Sequence, residues 1–540
     1  MPDRENHYRP LPLPVLSRRR HGMLWALVGV LLFALAAAWS FATPLMASPD
    51  EPSHVVKAAA VVRGQWSGTL GPEPTDASRP GAGTTVQLPT DLAASLALPN
   101  CYAFRSENAA DCVPQLPPRT GNSVPAETFA GQYPPLYYAF VGWPSLLLTG
   151  EAGLYGMRLA SAAISAAMLA WGAFRLSTVR GNRLALWGAV VAITPMCLFL
   201  AGTVNPSGWE ITTAFSFWTA CLAIVSRHGP LGTSALVHAA VSGAVLVNIR
   251  ATSPFWALAI VVVAIIAAPP GRLHELVRHR RSLWLGSAAL LSSVAAVGWI
   301  LTHGKVASSD NLSTQLANPK VILLAINGRG FEYLQNMIGN FGWLDAPAPP
   351  LTYVLWFVAA GALILLGLTT AMRGRSKTGL ALLVGGVAAA PFIFEFPTAT
   401  GASLVWQGRY ALPVAVGVPL LAALLLGEQR PEVVEFLRRV FRGTLPVVIV
   451  AHVAAFYWAS RRYSVGAHGH LITFSPQWSS PIGYLPGTAL YAVLCAALAA
   501  LVWRAARPIP VRSVVDSPVV EPDSDGPGFR VSGSVAVGPP

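Results

Sequence analysis

The residues best equipped for chemistry sit in one short run, Ser48-Pro49-Asp50-Glu51-Pro52-Ser53-His54. Two adjacent carboxylates followed by a histidine are the types that take a proton from a hydroxyl. They are also the types that hold a divalent cation such as Mg or Mn through oxygen. Lys57 follows one helical turn beyond His54. A plainer reading of the acidic pair is a helix N-terminus, where carboxylates are favoured by the dipole. Three further segments carry polar groups against apolar runs. Tyr133 stands in Gln132-Tyr133-Pro134-Pro135-Leu136-Tyr137-Tyr138, where two prolines fix a rigid helix entry and the rings suit a membrane interface. Glu210 closes Asn205-Pro206-Ser207-Gly208-Trp209-Glu210, where it serves equally well as a partner for the next helix dipole. Gln407-Gly408-Arg409-Tyr410 sets a guanidinium at the end of an apolar stretch. Its fork donates paired hydrogen bonds to phosphate or carboxylate, with snorkelling to headgroups as the alternative. Arg250 and Lys57 are weaker cations of the same kind, and Asp345 in Phe341-Gly342-Trp343-Leu344-Asp345 is a further carboxylate.

The elements that hold these groups must be built for lipid. The chain of 540 residues is 53% hydrophobic and 11% charged, against roughly 25% charged in a soluble domain. Too few polar side chains exist to cover such a surface in water. The net charge of +13 does not signal nucleic acid, because the basic residues punctuate apolar runs. Arg18-Arg19-Arg20, Arg278-His279-Arg280-Arg281 and Arg373-Gly374-Arg375-Ser376-Lys377 follow the rule that keeps Lys and Arg on the cytoplasmic side. No phosphate-binding loop, H-E-x-x-H, C-x-x-C pair or dinucleotide fingerprint is present. An ATPase domain to power transport is therefore missing, as is a domain for nucleotide-sugar chemistry on the inside.

Apolar length predicts an all-α polytopic transmembrane helical bundle of about twelve spans. Both termini lie on the cytoplasmic side of a bacterial plasma membrane. The first span begins at residue 23; 153–178, 184–204, 211–225, 234–247, 254–268, 283–302, 351–372, 379–396, 412–426, 445–459 and 485–503 follow. Residues 134–148 read as an interfacial or re-entrant helix. Residues 1–22 form a cytoplasmic segment, 23–504 the membrane domain and 505–540 a cytoplasmic tail with too few large apolar side chains to order itself. Two long loops, 43–132 and 303–350, face outward, and every candidate segment falls on that side. Within the first loop, 50–66 reads as an amphipathic helix and 71–89 as irregular chain. Of the five cysteines, Cys197, Cys221 and Cys495 lie in apolar runs as small hydrophobes. Cys101 and Cys112 lie in the polar loop, where an oxidising compartment would join them.

The acidic run, the segment from Thr194-Pro195-Met196 to Asn205-Pro206-Ser207-Gly208, Gly342-Trp343-Leu344-Asp345 and Gln407-Gly408-Arg409-Tyr410 resemble, in order and spacing, the DUF2142 family of bacterial membrane proteins. The resemblance runs over about 23–503. That family in turn looks like the GT-C class of membrane glycosyltransferases. The likeness implies many spans, a large first outer loop with an acidic motif near its start, and often a Pro-Pro-Leu-Tyr-like segment before the second span. It implies sugar transfer from a polyprenyl-phosphate-linked sugar to a cell-envelope glycan or lipid acceptor outside the membrane. Asp50 and Glu51 match the acidic motif, so one would be the general base and the other would hold a metal where a member needs one. Arg409 as a ligand of the donor phosphate is a physical inference from its fork. His54, Lys57, Tyr133, Glu210, Arg250, Asp345, Gln407 and Tyr410 complete the substrate-binding candidates. The chain departs from many GT-C enzymes in lacking a large soluble C-terminal domain, so acceptor recognition falls on the two long loops.

Two other function classes compete. A transporter or flippase of a lipid-linked glycan should carry ionisable residues in mid-span, or broken helices in matching halves. Arg158 and Glu395 fall near span ends, and no internal repeat is visible. A non-catalytic subunit of envelope assembly could keep the same shape. The leading expectation is an inverting glycosyltransferase, for which one carboxylate base suffices.

Overall fold

The structure, a computed structural model, describes residues 18–70, 83–179, 184–225, 231–303, 319–370, 374–396 and 404–505. Most of the expected N-terminal segment and nearly all of the expected tail lie outside the described residues. Helix dominates because hydrocarbon offers no partner to backbone N–H and C=O groups. Among the described residues, nine helices are long and apolar enough to cross a membrane: Gly22–Ala42, Gly150–Ser177, Pro206–Val225, Arg280–His303, Pro350–Thr370, Gly374–Glu395, Gly408–Leu426, Pro431–Val465 and Tyr484–Arg504. Thr233–Val247 and Ser253–Ala267 are apolar too, at 15 residues each. At 1.5 Å per residue each is about 22 Å long, short of a core of about 30 Å.

The Pro206–Val225 helix is buried along its whole length. It is enclosed by Gly150–Ser177, Thr233–Val247 and Ser253–Ala267. The first helix packs on Gly150–Ser177 and on the last helix. Arg280–His303 lies at the periphery against Thr233–Val247, with Ala296 its one fully buried residue.

Two expected spans differ. The stretch 184–204 is two helices, Ala185–Ala192 and Pro195–Ala201. Pro195 has no N–H to continue the ladder and pushes Thr194 into an extended conformation, φ −73° and ψ 163°. The Thr194 hydroxyl then caps the second piece by accepting from the Cys197 N–H. The stretch 445–459 is the middle of a 35-residue helix, Pro431–Val465. That helix takes in Arg461 and Arg462, beyond the expected end of the span at residue 459.

The first long loop is a folded layer. Its helix Glu51–Val61 is not an amphipathic surface helix, since every residue except Ser53 is buried. It sits against the Leu136–Gly142 helix and a three-stranded antiparallel sheet of Thr69–Leu70, Thr84–Pro89 and Ser123–Thr128. The middle strand pairs Thr84 with Thr128 and Pro89 with Ser123. It turns Val86 and Leu88 inward and Gln87 outward, a period of two that corrects the irregular reading of 71–89 from Thr84 onward. Residues 71–82 lie outside the described residues. Val55, Val56, Val86, Leu88, Tyr137 and Tyr138 make this layer's own core. Cys101 and Cys112 form a disulfide with a Cα–Cα distance of 6.1 Å. The second long loop holds helices Pro319–Gly328 and Gly330–Ile338 and a short pairing of Asn340–Phe341 with Ala346–Pro347.

Candidate active site

The chain leaves the first helix at Ala42 and turns through Met46 and Asp50, both left-handed, with φ of 66° and 63°. Such a backbone is uncommon outside glycine and has to be held in place by its surroundings. Asp50 heads the Glu51–Val61 helix, yet its side chain makes no capping bond to it. It reaches instead to Arg409, Oδ2 to Nη2 at 2.9 Å. The Asp50 side chain is 54% exposed and that of Arg409 only 1%. Arg409 keeps Nε and Nη1 buried with no hydrogen-bond partner. Unpaired N–H groups on a buried cation are costly, so this guanidinium is prepared for an anion.

Local chain geometry fixes Arg409. The Glu395 carboxylate, at the end of its helix, accepts the N–H groups of Val405 and Trp406. Gly408 lies against the Tyr333 carbonyl, and a Cβ there would stand 1.8 Å from that oxygen. Only glycine fits. The Tyr410 ring then sits between two guanidiniums, 5.2 Å from Arg409 and 4.9 Å from Arg250. Arg250 also lies 5.8 Å from the Tyr133 ring and donates to Ser207 Oγ at 2.9 Å. It faces Glu210 at 3.6 Å, whose other oxygen accepts from Ser253 at 2.6 Å. His54, one turn beyond Asp50, shares a hydrogen bond of 3.0 Å with the Tyr138 hydroxyl. Burial pushes its pKa down to about 3; Asp50 opposes this, and Arg250 and Arg409 add to it. The imidazole is therefore neutral at physiological pH. Asp50, His54, Tyr133, Glu210, Arg250, Arg409 and Tyr410 thus share one site.

The two adjacent carboxylates are split. Glu51 is 1% exposed, and Arg158 grips it from Nε at 2.7 Å and Nη2 at 2.6 Å. The N–H groups of Val204 and Ser48 add bonds of 3.0 Å and 3.2 Å. Arg158 spends its other N–H groups on the carbonyls of Ser40, Thr43 and Pro44. Asp50 lies in the left-handed turn before the helix and Glu51 is the first helical residue, and across that junction one carboxylate turns out while its neighbour turns into the fold. Asp50 and Glu51 therefore do not converge as ligands. Among the described residues no three His, Cys, Asp or Glu come together to hold a metal. The expected two-carboxylate metal pair does not fit this geometry, because Glu51 is committed to Arg158 and Asp50 to Arg409.

Two other candidates brace the fold. Lys57 donates to the Gly131 carbonyl at 2.6 Å and to that of Trp66, and burial lowers its pKa to about 8. It closes the loop layer and offers no free charge to a phosphate. Asp345 accepts from Arg462 at 2.7 Å and from the Trp343 N–H at 3.1 Å. Arg462 ties this to the disulfide loop through the carbonyls of Tyr102, Arg105 and Asn108. Gln407 stands beside Gly408 with its Oε1 buried and unbonded. An apolar cavity of about 320 Å³, lined in part by Tyr333, Met337, Val387 and Phe392, adjoins the loop through Tyr333.

The family described as "Predicted membrane protein (DUF2142)" matches residues 32–418, more than half of the chain and all four segments that carry the resemblance. The chain belongs to this family. No curated protein matches it. Among solved structures, this DUF2142 chain is similar to ArnT of Cupriavidus metallidurans bound to undecaprenyl phosphate. The two share 13% identity over 89% of this chain and 77% of that one, with a TM-score of 0.42. The same protein in the apo state gives 15% identity over 90% and 78%, with a TM-score of 0.40. The oligosaccharyltransferase of Archaeoglobus fulgidus, in its apo form, gives 13% identity over 84% and 57%, with a TM-score of 0.40.

Sequence reasoning on the DUF2142 chain misses Arg158, Ser207 and Ser253 as members or supports of the site. Arg158 carries a signal: it is a guanidinium set among apolar residues of a span, and such a charge needs a partner. The two serines carry none, because a serine beside a helix turn is ordinary.

Proposed function

We propose that the protein is a membrane glycosyltransferase that moves a sugar from a polyprenyl-phosphate donor to a cell-envelope glycan or lipid acceptor, with inversion. The reaction runs at the extracytoplasmic face. The observation that carries this reading is the pairing of an open carboxylate, Asp50, with a buried guanidinium, Arg409, that has two nitrogens unpartnered. A base and an anion receptor within one hydrogen bond of each other are what the reaction requires. The acceptor hydroxyl is weakly acidic and needs a carboxylate as it attacks. The leaving group is a phosphate whose growing charge needs fixed donors in a site that excludes water.

Arg409 and Arg250 supply those donors. When the donor phosphate reaches Arg409, the guanidinium gains a second anion, and Asp50 is released toward the acceptor hydroxyl. Glu51 and Arg158 take no part in proton transfer; they hold the backbone turn that presents Asp50. Neutral His54 fills the floor behind the carboxylate without competing for its proton. The polyprenyl chain is assigned to the apolar cavity lined in part by Tyr333, whose carbonyl lies against Gly408 beside Arg409. A disulfide between Cys101 and Cys112 supports an oxidising compartment for this end of the bundle.

The test is sugar transfer by the purified protein from a panel of radiolabelled polyprenyl-phosphate sugars to envelope extract, beside an Asp50→Asn variant. Transfer by the wild type and none by the variant supports the reading. A folded wild type inactive with every donor, or an Asp50→Asn variant of normal activity, overturns it.

A further inference from the structure

A second site lies at the opposite end of the first helix from Asp50. A groove runs between the first helix, the Ala185–Ala192 helix, the Pro431–Val465 helix and the last helix. On the first helix it extends from Leu24 to Leu35, on the long helix from Leu445 to His452, and on the last from Val502 back to Cys495. Apart from His452 and Cys495 its lining is hydrocarbon and one indole. At the inner end His452 meets the Tyr491 hydroxyl at 3.5 Å, which accepts from Trp39 at 3.2 Å. The helical rise from Leu24 to Leu35 is about 16 Å. That matches one leaflet of a hydrocarbon core about 30 Å thick.

The mouth is cationic. Arg442 stands one turn before Leu445 on the long helix, and its guanidinium lies 4.5 Å from the Trp503 ring. Trp503 directly follows Val502 of the groove wall, and Arg504 beside it is exposed. The Arg442 Nε is buried with no hydrogen-bond partner, and among the described residues Arg442 has no carboxylate partner. Arg438 and Arg439, on the preceding turn, share Glu435 at 2.9 Å and 3.5 Å. An apolar slot one leaflet long, with a cation at its headgroup end, suits a single amphiphile.

The geometry points to a binding site for an anionic phospholipid, with one acyl chain in the groove and the phosphate on Arg442. The indole of Trp503 holds the guanidinium flat by a cation–π contact, leaving its edge for paired hydrogen bonds to phosphate oxygens. This site is separate from the donor site and stands whether or not sugar transfer is observed.

The test uses the purified full chain in detergent, with thermal midpoints followed as phosphatidylglycerol, phosphatidylcholine or inorganic phosphate is added. Phosphatidylglycerol is expected to stabilise at about fivefold lower concentration than phosphatidylcholine, the effect of roughly one cationic contact. Inorganic phosphate should do nothing, since it cannot fill the groove. Arg442→Gln, on the rim, should erase the preference and leave a response to both lipids. Ala499→Phe, which fills the slot, should remove both responses. Equal response to the two lipids in the wild type would overturn the site. So would a preference that survives Arg442→Gln, or the same stabilisation by inorganic phosphate. Should Ala499→Phe fail to fold, Arg442→Gln decides alone.

Discussion

Neighbouring carboxylates with opposite surroundings must respond to mutation in opposite ways. Glu51 accepts four hydrogen bonds, two of them from a guanidinium as buried as itself. Glu51→Ala would leave Arg158 charged and unpaired within the bundle, a change that costs about 3–5 kcal/mol. That is a large share of the roughly 5–15 kcal/mol holding a domain folded. Asp50 makes one ion pair from a half-exposed position, and an asparagine there keeps an oxygen that accepts from Arg409 Nη2, so its replacement costs less. Asp50→Asn should therefore unfold at nearly the wild-type denaturant concentration yet transfer no sugar. Glu51→Ala should unfold early and lose activity only in step with folded protein. Replacing both partners, Glu51→Ala with Arg158→Met, should recover part of the loss, because no buried charge is then orphaned. Chemical denaturation of the purified protein, read by tryptophan fluorescence beside the transfer assay, separates these outcomes. Equal stability of the two single variants, or a double variant weaker than the sum of both singles, would refute the division of roles.

Other expectations follow from the same geometry. Arg409→Lys keeps a charge but loses the fork, and removal of a preorganised donor costs about 10²–10³-fold in rate; a wild-type turnover number for Arg409→Lys would count against phosphate binding there. Gly408→Ala drives a Cβ into the Tyr333 carbonyl, so the loop must move, and donor KM should rise with little change in global stability. His54 has its folded pKa lowered from 6.5 to about 3. The unfolded chain therefore binds more protons between those values, and the contribution present above pH 6.5 is lost as pH falls, by at most about 1.4 kcal/mol per pH unit. Denaturation between pH 7 and 4 should show a flatter loss in His54→Gln than in wild type. A reporter fused after Pro118 should read as extracytoplasmic; a cytoplasmic signal would invert the proposed orientation.

Much of this architecture is legible in the amino-acid sequence. Lipid-length apolar runs and basic clusters give the helical membrane class, because composition alone decides which solvent the surface can face. The segments around Asp50, Asn205, Gly342 and Arg409 stand out as polar breaks, and they converge in the fold. What sequence does not supply is direction. Nothing in the pair Asp50-Glu51 says which carboxylate turns inward; that depends on Arg158, about a hundred residues away in sequence. Lys57 reads as a free cation until its bonds to two carbonyls are seen. The strand Thr84–Pro89 is six residues in a proline- and glycine-rich stretch, where a period of two is too brief to outweigh the turn signals around it. The break before Pro195 is readable from the proline itself, but about twenty apolar residues make one span the simpler description.

The four segments also do different work from what their polar residues suggest. Only the first and last bring charged groups to the opening, while Ser207 of the second accepts from Arg250. The second supplies the Val204 N–H to Glu51 and the Asn205 amide to the Pro49 carbonyl. The third sends the Trp343 indole to the Met46 carbonyl and pins Asp345 to Arg462. Both therefore clamp the stretch 46–51, which holds the left-handed Met46 and Asp50. Residues held in such backbone conformations cost about 1–3 kcal/mol each and relax unless their surroundings over-determine them. A polar segment recurring beside a candidate base is thus as readily a brace as a ligand. The two are told apart by whether its hydrogen bonds end on backbone carbonyls or point at open space. By that criterion Arg409 stands apart in this site: its buried Nε and Nη1 have neither a carbonyl nor a carboxylate to meet.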